Sequence, residues 1–281
     1  MTSDLLQKAK DVAAAAQANG ALVPLETSLT QLMGQQGTGF ELRHLHSATP
    51  KHLRAEGPKP NPFLPWDQHL EVQRIGDSHA VILNKYPVQS AHMLLITKTW
   101  QPQSGWLSMD DWNALAQVDA MTTGLWFFNS GPDAGASQPH RHLQLLPRAP
   151  GEPICARQTW FQRCAEGITS IEDEPLLRSS RVVKMASSLT GEKLHQLYLT
   201  LAEELELGTP AQNDRPLGAY NLLLSRDWMA LIRRRMEGVH GFNVNALGFA
   251  GSLLSTDASD RAWIECKGPE ALLHAVAEAV G

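Results

Sequence analysis

Cysteine pairs, a basic excess and long apolar runs are all missing from this sequence. Three cysteines, Cys155, Cys164 and Cys266, stand in 281 residues with no C-x-x-C pair among them. So sparse and odd a number excludes a disulfide framework and points to a reducing compartment. The formal charge is −5 at neutral pH. That argues against a general polyanion binder, because non-specific nucleic-acid affinity comes from a basic surface. It leaves room for a local basic pocket that takes a small phosphorylated ligand. The longest apolar stretches, such as "ALGFAGSLL" at 246–254, are far shorter than the ~20 residues a bilayer span needs. The opening "MTSDLLQKAKD" lacks a basic segment followed by an apolar run, so a signal peptide is not expected there. No repeat, coiled coil or low-complexity tract interrupts the chain. A cytoplasmic protein is the expectation.

What is present belongs to an ordinary globular protein: 43% apolar and 19% charged residues, in a chain long enough for one large domain or two modest ones. Ser3 can cap a helix through "DLLQKAKDVAAAAQA", with Gly20 placed to end it. "GFELRHL" at 39–45 reads as a strand. The proline-rich segment from about 49 to 65 reads as an ordered loop, because Phe63 and Trp66 are costly to leave in water. "HAVILNKY" and "HMLLITK" are strand candidates, and Ser108 with Asp111 forms an acidic capping box ahead of a helix carrying Leu115, Val118 and Met121. "LWFFNSG" and "HRHLQLLP" are two further strands. That order suggests an antiparallel α+β layer rather than alternating βαβ units. Beyond Pro153 the pattern predicts a helix within 190–206, a hairpin of "AYNLLLS" and "WMALIRR", and a final helix over "GPEALLHAVAEAV".

The informative stretch is "NSGPDAGASQPHRHLQLLP", residues 129–147. On a strand, His140, His142 and Gln144 share one face, roughly 6.5–7 Å apart. Three readings are open. The face can be merely polar. It can bind zinc, although a structural site wants four ligands and Cys155 and Cys164 are not at ligand spacing. Or it can carry a nucleophile. The small residues of "GPDAGAS" let backbone amides approach an anion, and a neutral imidazole can attack phosphorus when its other nitrogen is held as N–H.

"GASQPHRHLQ" resembles the His-x-His-x-Gln motif of nucleotidyltransferases in the histidine triad superfamily, a branch that includes galactose-1-phosphate uridylyltransferase. The diadenosine tetraphosphate phosphorylases, or ATP adenylyltransferases, are the nearer match. "NPFLPW", "LNKYPV", "HMLLITK", "YNLLLSRDWM" and "VNALGFAGSLL" follow that family in order, over roughly residues 39–256. The resemblance implies a histidine-triad-like antiparallel sheet with helices packed on it and an integrated C-terminal α+β region. The catalytic region would be 1–170 and the C-terminal region 171–281, packed as one unit. It implies His142 as the nucleophile that takes up a nucleoside monophosphate, His140 as its orienting neighbour and Gln144 as a hydrogen-bond partner of the phosphate in the covalent intermediate. Lys51, Asn84, Lys85, Asn129, Gly135, Ala136, Ser137, Gln138, Asn245, Ala246 and Leu247 match nucleotide and phosphate contacts. Ser252 and Thr256 stand where the family often has methionine and lysine.

Gln144 adds a physical argument about the acceptor. An amide cannot exchange protons near neutral pH, so it favours attack by anionic phosphate over attack by water. The expected reaction is phosphorolysis of diadenosine tetraphosphate to ATP and ADP. A divalent cation, in the first place Mg2+, would travel with the polyphosphate, and no structural metal is expected. Nucleotides and inorganic phosphate are the expected partners, with no nucleic acid or membrane. The long single chain could complete its site alone, so a monomer is expected. Sulfate exchange on ADP, hydrolysis of dinucleoside polyphosphates, a nucleotide sensor without catalysis and a metal-binding structural protein are the alternatives. Arg233, Arg234 and Arg235 are either a solvated face or a basic cluster near the acceptor. "NALGFAGS" is either part of the nucleotide site or a buried, tightly packed strand.

Overall fold

The computed structural model describes residues 4–34, 37–46, 61–149, 151–169, 174–185 and 190–281. Ser3, Lys51 and most of the proline-rich loop lie outside these residues. The chain begins with α1 (Asp4–Ala18), and Gly20 follows at φ +80°, as its capping place requires. Strands β1 (Thr27–Met33) and β2 (Gly39–Leu45) come next, then β3 (Glu71–Ile75), β4 (His79–Leu83) and β5 (Met93–Thr97). Helix α2 (Met109–Met121) leads to β6 (Gly124–Asn129) and β7 (His142–Pro147). The remaining elements are α3 (Gln158–Ala165), β8 (Ser180–Lys184), α4 (Gly191–Glu204), β9 (Ala219–Leu224) and β10 (Trp228–Arg234). A two-residue hairpin, β11 (Gly238–Val239) and β12 (Phe242–Asn243), precedes α5 (Ala246–Phe249), β13 (Ser252–Ser255), α6 (Arg261–Lys267) and α7 (Pro269–Val276).

Eight strands form one antiparallel sheet in the order β3-β4-β5-β7-β6-β9-β10-β8. It takes strands from both sides of residue 170. The expected α+β architecture, built on an antiparallel sheet, is what the chain adopts. The capping box is present as read: Ser108 N donates to Asp111 Oδ2 at 2.7 Å, and Asp111 N donates back to the serine hydroxyl.

Both faces of the large sheet are covered, which explains why its central strands are apolar without alternation. Trp126 and Phe128 of β6 pack on one side with Leu115 of α2 and Leu201 of α4. Leu125 and Phe127 point to the other side and join Phe40, Phe249 and Leu253 from the second layer. Each such buried ring contributes ~2 kcal/mol or more. The second layer contains a smaller sheet, β1-β2-β13, in which β2 and β13 run parallel.

Three expectations need correction. "NALGFAGS" is no strand: Asn245 caps the short α5 by accepting from Leu247 N, and β13 starts only at Ser252. The last helix stops at Val276, because the chain beyond it bonds to other backbone, with Glu278 N donating to Arg233 O and Val280 N to Arg178 O. The basic run is not one uniform solvated face: Arg235 is exposed, Arg233 is half-buried and Arg234 is buried. Arg233 pairs with Glu206 and Glu278, and Arg235 donates to Ala275 O. Arg234 is buried and spends its guanidinium on Val244 O, Met236 O and the side chain of Asn221.

Candidate active site

Leu143 and Leu145 of β7 enter the first core, so Gln144 and Leu146 must face the second layer. Between sheet and layer lies a cavity of about 890 Å3. His142, Gln144, Asn84, Lys85, Asn129, Gly135, Ser137, Gln138, Asn245 and Leu247 all line it. Residues far apart in sequence are thus brought to one wall. Three expected contacts are not among the lining residues. His140 is fully buried, Ala136 is half-buried outside the lining, and Ala246 contributes its backbone N–H to Asn129 Oδ1 at 2.9 Å. Lys51 lies outside the described residues.

The protonation of each imidazole follows from its partners. His142 Nδ1 is 2.8 Å from the carbonyl of His140, so it carries the hydrogen and Nε2 keeps its lone pair. Burial depresses the His142 pKa to about 4 against the lesser opposing effect of that hydrogen bond, so the ring is neutral at pH 7. His140 Nε2 donates to Thr97 O at 2.9 Å, and its Nδ1 accepts from Asn61 Nδ2 at 2.9 Å. Asn61 is oriented in turn by accepting from Phe63 N. The Phe63 ring packs edge-on to His140 and lies 5.3 Å from the His142 ring. His140 therefore braces the strand from behind, and its pKa is lowered by burial.

A third buried histidine completes the wall. Tyr86 N donates to Asn84 Oδ1, Asn84 Nδ2 lies 3.1 Å from His92 Nδ1, and His92 Nε2 lies 3.1 Å from Gln144 Oε1. Each link dictates the next, so His92 donates to Gln144 and the amide nitrogen of Gln144 is left for the cavity. Burial holds His92 neutral, its pKa near 4. His92 was not singled out by sequence reading; its one signal is a lone histidine ahead of the buried run "MLLIT".

The loop between β6 and β7 is shaped for close approach. Gly135 has φ +83°, and a Cβ there would stand 2.9 Å from Val244 O and from Asn245 Cβ. Asn221 Nδ2 donates to Asn129 Oδ1 and to Ala134 O, both at 2.8 Å, while Arg234 holds Asn221 from the other side. Asn221 and Arg234 support this loop and were invisible as such in the sequence. Lys85 and Arg43 are the Lys and Arg side chains among the lining residues described. Arg43 arrives through the pairing of β2 with β13, a long-range event that no local motif reports. Among the described residues, no group of three or more His, Cys, Asp or Glu could hold a metal. No helix among them is long and apolar enough to cross a membrane.

Comparison with known proteins decides the family. The Ap4A phosphorylase N-terminal domain matches residues 1–154, and the ATP adenylyltransferase C-terminal domain matches residues 175–279. The chain belongs to the Ap4A phosphorylase family. It is a nucleotidyltransferase of that family. Diadenosine 5',5'''-P1,P4-tetraphosphate phosphorylase 2 of Saccharomyces cerevisiae is 27% identical over 233 residues, which is 73% of this chain and 70% of the yeast protein. The crystal structure of yeast Ap4A phosphorylase Apa2 superposes with a TM-score of 0.74 at 22% identity, covering 96% of this chain and 92% of that one. The same yeast enzyme in complex with Ap4A gives a TM-score of 0.72 at 23% identity, covering 98% and 95% of the two chains.

Proposed function

We propose that this nucleotidyltransferase splits diadenosine tetraphosphate with inorganic phosphate into ATP and ADP, through an adenylyl group carried on His142. The observation that carries the reading is the state of His142: a neutral ring at the cavity wall, with Nδ1–H held by the His140 carbonyl and Nε2 uncommitted. In the first step Nε2 attacks the phosphorus next to one adenosine, the N–P bond forms, and the P–O bond to the other three phosphates breaks, releasing ATP. The Nδ1 proton stays on the ring, and the His140 carbonyl stabilises the positive charge that adenylylation places there. In the second step an oxygen of inorganic phosphate attacks the adenylyl phosphorus, the N–P bond breaks, and ADP leaves.

The non-bridging oxygens gain charge in each step, and the amide nitrogen of Gln144 with the loop around Gly135 and Ser137 supplies donors to them. Lys85 and Arg43 offset the charge of the remaining phosphates, and Mg2+ travels with the polyphosphate rather than in a protein cage. All groups invoked come from one chain, so a monomer suffices. Free cysteines are consistent with a reducing compartment, which supports the cytoplasm as the enzyme's location.

The test is incubation with diadenosine tetraphosphate and Mg2+, with and without phosphate, with products resolved by anion exchange. Repeated turnover to ATP and ADP is expected only with phosphate, and neither product from His142→Ala. ATP and AMP appearing without phosphate would mean a hydrolase and overturn the proposal.

A further inference from the structure

The ladder between β6 and β7 ends early. Its register pairs Phe127 with Gln144 and, continued, would set Asn129 opposite His142. Both strands keep their outer neighbours at this level: β6 pairs Asn129 with Asn221 of β9, and β7 pairs His142 with Ile96 of β5. Between Asn129 and His142 stands instead the carboxamide of Gln103. Its Oε1 accepts from His142 N at 2.8 Å, and its Nε2 donates to Asn129 O at 2.7 Å and to His142 O at 3.2 Å. The side chain is buried and absent from the cavity wall.

We propose that Gln103 is a positioning residue that sets the gap between the nucleophile His142 and the Asn129 side of the phosphate loop. A primary amide has the donor and acceptor of a peptide unit, so it can be spliced into a β-ladder where two strands must part. It holds them at the separation of an inserted group while pairing His142 N–H and the carbonyls of Asn129 and His142. The amide cannot be turned over. Reversed, it would set Nε2–H against His142 N–H and Oε1 against two carbonyl oxygens.

The anchorage on the far side is firm. Gln103 N donates to Pro139 O at 2.8 Å, and Pro102 O accepts from Arg141 at 2.8 and 3.2 Å. Arg141 in turn pairs with Asp111, the capping residue of α2, at 2.7 Å. The wedge therefore transmits the position of a rigid helix to the reacting strand. A displacement of the nucleophile by an ångström is enough to cost about a hundredfold in rate, although Gln103 touches no substrate.

The inference rests on His142 as the adenylyl acceptor, and the experiment separates the two. Parent, His142→Ala, Gln103→Met and Gln103→Glu proteins are mixed with diadenosine tetraphosphate without phosphate. The single-turnover rate of adenylyl-enzyme formation is read by intact mass, and AMP affinity by calorimetry. No adenylyl-enzyme in the parent would sink the function proposed above; the comparison of variants tests Gln103. Gln103→Met is expected to slow adenylylation at least about tenfold with AMP affinity within about threefold. Gln103→Glu is the discriminating variant. At about pH 7.5 its carboxylate can accept from His142 N but cannot donate to Asn129 O. Its rate relative to the parent should climb as pH falls towards about 5, because only the protonated carboxyl restores that donor, and burial raises its pKa into this range. A merely structural role would leave the ratio flat with pH. A flat ratio, a parent-like rate in Gln103→Met, or an affinity loss as large as the rate loss would each overturn the inference. Should Gln103→Glu not fold, Gln103→Met alone still decides through its split between rate and affinity.

Discussion

Replacing His92 by phenylalanine isolates what the third histidine does. The ring is kept, still beside Phe127 at 5.7 Å in the parent, so no cavity opens. Two hydrogen bonds disappear, one from Asn84 Nδ2 and one to Gln144 Oε1, both 3.1 Å. Each is worth about 1 kcal/mol net, so roughly 2 kcal/mol of stability should be lost at neutral pH. The sign of the pH dependence runs the other way. A histidine with its folded pKa near 4 binds fewer protons than the unfolded chain between about 6.5 and 4. Its stabilising contribution is complete above that window and is lost as pH falls through it. By about pH 5 the parent has given up on the order of 2 kcal/mol from this group alone, while the variant has no such group to protonate. Urea unfolding at about pH 7.5 and about pH 5 should therefore show a gap that closes; His142 is common to both proteins and cancels. In activity, the amide of Gln144 is freed to turn its oxygen to the substrate, which forfeits part of a donor. A fall of about tenfold in adenylylation, with AMP affinity nearly unchanged, is expected. A stability gap that stays constant with pH, or an unaltered adenylylation rate, would refute the chain of bonds from Asn84 through His92 to Gln144.

Other outcomes follow from the same wall. Adenylylation of the enzyme by diadenosine tetraphosphate should stay level from about pH 8 to about pH 5 and fall only as His142 protonates near pH 4, since its folded pKa is depressed to about 4. An inflection near 6.5 in a rapid-quench pH series would show that the ring is not held neutral. Gln144→His should raise the ratio of hydrolysis to phosphorolysis by supplying a group that exchanges protons, and an unchanged product ratio would remove the argument from the amide. Gly135→Ala should cost ~2 kcal/mol and weaken AMP binding, because the residue has φ +83° and its Cβ would meet Val244 O at 2.9 Å. Unfolding and binding curves that match the parent would contradict that packing.

Much of the molecule was readable along the chain because the signals are local. The capping box at Ser108 and Asp111 works within a single turn, and the alternation of His142 and Gln144 with Leu143 and Leu145 is a property of any strand buried on both faces. Glycine at 135, followed by Ser137, announced a loop open to anions for a reason that needs no fold. Elements with weak or ambiguous local chemistry were not readable. The polar edge strand β1 owes its form to pairing with β2, and β8 to pairing with β10. Helix α5 begins where Asn245 finds a backbone N–H to cap, which the sequence "NALGFAG" permits but does not demand. The residue types of the proposed nucleophile and its proposed donor were thus written in the order of the chain. Their protonation and orientation were decided only by folding, because a tautomer is set by whichever carbonyl or amide lies across from the ring. For His142, His140 and His92 those partners are His140 O, Thr97 and Asn61, and Gln144 and Asn84, most of them brought from other strands and loops. Arg234 makes the same point in reverse: a run of three arginines looks like charge for a ligand until the tertiary structure buries the middle one against carbonyl oxygens.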